Sequence, residues 1–301
     1  MKILISGATG LVGSALGETL RAEGHAVGQL ARAGGTARSG DVGWDPSSGR
    51  VDVAAVEGAD AVVCLNGAGI GDGRWTPERK KVLRSSRVDT TRVLVDSLAQ
   101  LKHRPRVFVG ASAIGYYGDR GDEILTESST GGNDFLAQLA RDWEAEAMRA
   151  ESSGIRTVIV RFGVILSTKG GALPRMLTPF KLGAGGRLGN GKQWMSWIAI
   201  EDAVGIVRAA VVDEGIKGPV NVVAPNPARN EEFTRALASA LHRPAIFPAP
   251  AFVLRLALGE MADGLLLVSQ RVQAERMMKA GYQYRMPDLK TALRNILERK
   301  S

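Results

Sequence analysis

Lys2-Ile3-Leu4-Ile5-Ser6, followed by Gly7-Ala8-Thr9-Gly10-Leu11-Val12-Gly13, is the stretch whose reading decides the fold. A short apolar run ending in glycines reads as a buried parallel strand that delivers backbone to a phosphate. Gly7 permits the tight turn, Gly10 lets the chain approach a pyrophosphate, and Gly13 lets the next helix pack close to the strand. That helix, periodic through Leu11, Val12, Ala15, Leu16 and Leu20, closes at Gly24. Its first N–H groups and the positive end of its dipole face the anion. His25 to Ala31 then reads as a second strand, completing one β-α-β crossover. Gly7, Thr9, Gly10, Leu11, Val12 and Gly13 are therefore the candidate phosphate-side contacts of a dinucleotide.

Working outward, Arg32 follows the second strand and Arg38 stands close behind. A site selective for NAD places a carboxylate there, to accept from the ribose hydroxyls. A guanidinium holds a 2′-phosphate instead, in a charge-assisted and bidentate way. NADP is the expected cofactor, ahead of NAD. Ala61 to Leu65 reads as the next buried strand, and Asn66-Gly67-Ala68-Gly69 supplies small residues over which a dinucleotide can lie. Thr76-Pro77-Glu78 starts a helix or helix pair that runs to about Leu101, with Arg87 as the basic residue drawn inward.

Arg106 to Ser112 is a further strand, followed by Ala113-Ile114-Gly115-Tyr116-Tyr117-Gly118. A hydroxyl at a strand's carboxyl end with two tyrosines beyond it can polarise a carbonyl. Ser112, Tyr116 and Tyr117 are the catalytic candidates, Ser112 orienting the carbonyl and Tyr116 or Tyr117 giving the proton. Asp134 caps a helix from about Phe135 to Glu151, and Thr157 to Phe162 is another core strand. The glycine-rich segment from Gly170 to Trp197 reads as a substrate loop or lid. Ile198 to Ile200 begins a strand and helix returning to the main sheet, and Val220 to Val223 is the last strand. Beyond Pro244 the chain is mainly helical.

Composition narrows the function. Lys plus Arg number 39 against 31 Asp plus Glu, a net charge of +8. These charges are dispersed along amphipathic helices, which argues against nucleic acid as a partner. The one cysteine, Cys64, excludes an intramolecular disulfide and fits a cytoplasmic setting. Met1 leads straight into a strand, so no signal peptide is expected. Ala251 to Val268 is broken by Arg255, Glu260 and Asp263 and is too short for a bilayer. None of the three histidines stands at metal-ligand spacing from a cysteine, so no metal site is expected.

These motifs resemble the extended short-chain dehydrogenase/reductases. Longer stretches are similar to one atypical branch, called nucleoside-diphosphate-sugar epimerase-like. They are Arg74-Trp75 with Ser86-Arg87-Val88, Ser112 to Gly118, Asp142-Trp143-Glu144, Arg161 to Leu166, and Gly170 to Leu173 through Trp194 to Ile198. Ser269 to Val272 and Ala280-Gly281-Tyr282 match that branch's own C-terminal helical domain. The resemblance implies an α/β, Rossmann-type doubly wound parallel sheet with a smaller, mainly helical C-terminal lobe. It divides the chain at 1-245 and 246-301, with substrate-lobe insertions after about 165. It places Arg32, Leu65, Asn66 and Arg87 at the cofactor, and brings in a small-molecule substrate and a homodimer as candidate partners. One departure matters. The superfamily's tyrosine and lysine stand four apart on a helix that here reads Asn133 to Glu144, with neither residue present. Two readings follow: an NADP-dependent epimerase or reductase with rearranged acid–base chemistry, or a catalytically silent NADPH-binding sensor.

Overall fold

The computed structural model describes residues 1–32, 41–45 and 50–298. Eight strands form the main sheet: β1 Lys2–Ser6, β2 Ala26–Arg32, β3 Val42–Asp45, β4 Arg50–Val51, β5 Ala61–Cys64, β6 Val107–Ala113, β7 Arg156–Phe162 and β8 Gly218–Val222. Their order is β8-β7-β6-β5-β1-β2-β3-β4, parallel throughout except for the β3–β4 pair at one edge. The chain order reverses at β1, between β5 and β2, which is where ligands sit in doubly wound sheets.

Side-chain alternation explains the layers. Ile3, Ile5, Val63, Val109, Val158 and Val160 join a core on one face, against α1 (Leu11–Ala22) and a helix at Ile200–Val212. Leu4, Val62, Cys64, Phe108 and Ile159 join a second core on the other face. That face is covered by a segment in three parts: α2 (Pro77–Arg84), a π-helical turn at Ser85–Asp89, and α3 (Thr90–Ala99). Helix α4 (Phe135–Met148) lies beside it, capped by Asp134, whose side chain accepts from Ala137 N at 2.9 Å. Both faces are buried, so the strands are apolar runs and not alternating ones.

Two expectations are corrected. Trp197–Ala199 does not return to the main sheet; it pairs in parallel with Val164–Leu166. The chain leaves the sheet at Gly163, where a Cβ would fall 2.5 Å from Ser196 O. The glycine-rich segment is also no open loop, because it contains α5 (Leu173–Lys181), with proline in its first turn and Pro179 inside. Further helices are α6 (Ile200–Val212), α7 (Asn230–Leu241), α8 (Ala251–Leu258), α9 (Glu275–Lys279) and α10 (Leu289–Glu298). A third core joins α5, α7 and α10 through Leu177, Phe180, Phe233, Leu237 and Leu293. The C-terminal stretch returns to the sheet domain: Gln270 donates from Nε2 to the carbonyls of Ile114 and Gly118, at 3.0 and 3.1 Å. Among the described residues no helix is long and apolar enough to cross a membrane.

Candidate functional site

The glycine loop after β1 packs backbone on backbone. Gly7 has φ +70°, and a Cβ there would lie 2.7 Å from Leu65 O. A Cβ on Gly13 would lie 2.3 Å from Gly7 O, which brings α1 against the turn. Gly10 is the N-cap of α1 and no side chain caps that end. A cleft of about 1000 Å³ opens in front of it, lined by Gly7, Thr9, Gly10, Gly13, Leu65, Asn66 and Ala68, and reaching Gln29, Leu30 and Trp44 beside β2. The crowded turn packs so tightly that its backbone, with no side chain between, faces the cleft, and this fits a diphosphate lying along it. Leu11 and Val12 stand behind this surface. Val12 packs on the core, and the Leu11 side chain lies where a Cβ on Gly170 or Gly171 would meet it, so their offering to the cleft is backbone N–H.

Arg87 reaches this rim from the π-helical turn, a geometry often found at functional sites. Its Nη2 donates to Ala68 O at 2.9 Å and its Nη1 to Leu83 O at 3.1 Å. Its guanidinium lies 5.4 Å from the Trp143 ring, and no carboxylate pairs with it among the described residues. Burial, then the neighbouring Arg79 charge, pushes it down to about 10, still protonated at neutral pH. A half-buried cation whose hydrogen bonds all go to neutral oxygens suits an incoming anion. At the far end, Arg32 closes β2; its side chain, and Arg38 entirely, lie outside the described residues.

The segment after Leu166 crosses above the loop. A Cβ on Gly170 or Gly171 would come within 3.7 or 3.4 Å of the Leu11 side chain, and Arg175 on α5 donates to Gly71 O at 2.5 Å and pairs with Asp72. This strap ties the ends of β1 and β5 to the smaller lobe.

The end of β6 differs from a carbonyl-orienting site. Ser112 lies opposite Arg161 in the β6–β7 register, and both project toward α4. Ser112 is 2% exposed, and its Oγ donates to Glu144 Oε1 at 2.6 Å. Arg161 grips Glu144 through Nε and Nη2, both at 2.8 Å, and donates from Nη1 to the Tyr117 hydroxyl at 3.0 Å. Tyr117, fully buried, donates in turn to Asn221 Oδ1 at 2.7 Å. Burial opposes the Arg161 charge, and Glu144 more than offsets it, holding the guanidinium above its ordinary range. Burial likewise pushes the Tyr117 phenol up. Ser112 and Tyr117 are thus brought together, but inside the protein, and the residue exposed at the strand end is Ala113. Tyr116 is different. Its ring stacks 3.6 Å from the Arg161 guanidinium, and its hydroxyl has no hydrogen-bond partner among the described residues. Reasoning from sequence missed Glu144, Arg161 and Arg175; an arginine after four core residues, just before the strand's carboxyl end, was the signal for the first two.

The first half of α4 carries Phe135, Leu136, Leu139 and Ala140. Phe135, Leu136 and Leu139 pack with Trp75, Leu65 and Ala68 into an apolar cluster continuous with the cleft wall.

Residues 3–224 match the NAD dependent epimerase/dehydratase family, and residues 249–296 match a domain of unknown function, DUF1731. Epimerase family protein YfhF of Bacillus subtilis is 39% identical over 304 residues, 99% of this chain and 98% of that one. Human epimerase family protein SDR39U1 is 36% identical over 300 residues, covering 99% and 100%. The crystal structure of the human protein (isoform 2) with NADPH superposes with a TM-score of 0.91, 36% identity and full coverage of both chains. UDP-N-acetylglucosamine 4-epimerase from Bacillus cereus shares the fold, with a TM-score of 0.76 at 17% identity and full coverage of both chains.

Proposed function

Because the chain belongs to the NAD dependent epimerase/dehydratase family, we propose that it is an NADP(H)-binding, epimerase- or reductase-like enzyme. It acts on a small molecule without the tyrosine–lysine pair usual in such folds. The observation that carries this is the backbone cradle: Gly7 and Gly13 leave no room for a Cβ, and α1 opens uncapped onto the cleft. Gly7, Thr9, Gly10 and Gly13, with the N–H groups of Leu11 and Val12, would hold the diphosphate; Leu65, Asn66 and Arg87 would flank it. Bound there, the nicotinamide supplies hydride transfer. The chain supplies position and a proton, from the Tyr116 hydroxyl. Ser112 and Tyr117 act beneath it by holding Arg161 and Glu144 in place.

The choice of NADP rests on the basic residue ending β2 and on the human relative crystallised with NADPH. Fluorescence titration tests it. NADPH should bind more tightly than NADH, and Arg32→Glu should weaken NADPH by about ten- to a hundredfold, since hydrogen bonds to charged groups contribute ~1.5–3 kcal/mol. Tighter binding of NADH by the unaltered chain overturns the choice. The strap gives a second expectation. Arg175→Ala should speed NADPH release by about two- to fivefold in stopped-flow displacement, the size expected of an exposed ion pair.

A silent NADPH-binding sensor is the second reading, favoured by the enclosure of Ser112 and Tyr117 and by the apolar first turn of α4. Single-turnover absorbance at the NADPH band, against sugar nucleotides, quinones and aldehydes, separates the two. Oxidation that depends on substrate and is lost in Tyr116→Phe establishes the enzyme; its absence across the panel leaves the sensor.

A further inference from the structure

Trp75, Phe135, Leu136 and Leu139, with Met261 and Leu265 of the C-terminal region, form an apolar wall that adjoins the cleft through Leu65 and Ala68. The Trp75 and Phe135 rings sit 5.4 Å apart. Gly264 is seated on Trp75 so closely that a Cβ would fall 2.7 Å from the ring. The cations bordering this wall are already bonded within the chain. Arg74 donates to the carbonyls of Leu256 and Ala257, Arg79 to Gly69 O, and Lys80 pairs with Glu260 at 2.6 Å. Arg87, which meets the cluster at Trp143, is the cation given above to the dinucleotide, so a second diphosphate set against this wall would lose its hydration and gain no further cation in return. An uncharged ring system would instead gain dispersion and aromatic contact. The apolar character also runs to the surface, because α8 brings Leu258 to the cluster while Phe252 and Leu256 on the same helix are 71% and 77% exposed.

We propose that the substrate of this site is an uncharged, apolar carbonyl compound and not a nucleoside-diphosphate sugar, admitted past the C-terminal helix α8. The inference rests on the nucleotide-binding reading above and names the substrate class of that same site. Hydride would pass from the dinucleotide to the carbonyl carbon and a proton from the Tyr116 hydroxyl to its oxygen, yielding an alcohol and the oxidised dinucleotide.

The test uses the full chain loaded with NADPH, after its affinity for NADPH has been measured on the same sample. Fluorescence of N-phenyl-1-naphthylamine, an uncharged apolar probe, reports occupancy of the wall, and benzylideneacetone and UDP-glucose are the competitors. The ketone should displace the probe and UDP-glucose should not. Leu136→Glu, which sets a carboxylate in the wall, should weaken the probe by about tenfold or more when both proteins are saturated with NADPH. Phe252→Ser with Leu256→Ser corrects for adsorption to the exposed face. Should Leu136→Glu fail to fold, the competition on the unaltered chain decides alone. Displacement by UDP-glucose at concentrations matching the ketone, or no displacement by the ketone, overturns the proposal while NADPH still binds. Absence of NADPH binding defeats the underlying reading instead.

Discussion

Glu144→Ala should destabilise the fold by about 3–5 kcal/mol, the cost of stripping one partner from a buried ion pair. The Arg161 side chain is 4% exposed, and two of its three hydrogen-bonding nitrogens end on Glu144. Without that carboxylate the guanidinium keeps the Tyr117 hydroxyl and the faces of two rings, none of which carries a compensating charge. Ser112 loses its acceptor in the same step. Ser112→Ala is milder, because the ion pair survives and a single hydrogen bond to a charged group is lost, about 1.5–3 kcal/mol. Urea unfolding of both variants checks the order, with the slope confirming that the same surface is exposed in each. A stability of Glu144→Ala within 1 kcal/mol of the parent, taken as about the upper worth of a surface pair, would show that water reaches this cluster. A Ser112→Ala protein of parental stability but reduced turnover would return Ser112 to the chemistry.

That cluster also shows where sequence reasoning stops. Alternation along β6 puts Ser112 on the face of Phe108, a core residue, so its inward direction was readable in principle. What it meets there was not, since Glu144 lies 32 residues further on and its approach depends on how α4 packs across β6 and β7. The glycine loop was legible because its constraints are local: each glycine answers a clash within the turn or with the adjacent strand end. Helix starts at Thr76 and Asp134 were legible for the same reason, the capping side chain and the capped N–H being three residues apart. Asn230, a cap residue by type, instead stands inside α7, where its side chain accepts from Leu188 N, and Arg229 takes the cap position. Helix α5 was hidden by Pro179 and by the glycines on either side of it, which read as loop. Its apolar residues find their partners on α7 and α10, more than 40 residues away along the chain.

Gly13→Ala should abolish measurable binding of NADPH, while Gly17→Ala, one turn further along the same helix, should not. The contrast follows from what each added methyl meets. At position 13 it falls 2.3 Å from Gly7 O and 2.8 Å from Ala8 Cα, both backbone, so α1 must back away from the loop. The amide donors at the start of α1 then lose their aim on the diphosphate. Forfeiting two charge-assisted hydrogen bonds at ~1.5–3 kcal/mol each weakens binding by about a hundredfold or more. At position 17 the methyl meets only the far end of the Arg21 side chain, at 3.2 Å, which can swing aside. Alanine in place of a helical glycine then stabilises α1 by about 0.5–1 kcal/mol. Thermal unfolding and NADPH titration of the two variants should therefore move in opposite directions, Gly13→Ala losing stability and affinity, Gly17→Ala gaining stability with affinity kept. A Gly13→Ala protein that binds NADPH like its parent would place the diphosphate somewhere other than the turn after β1.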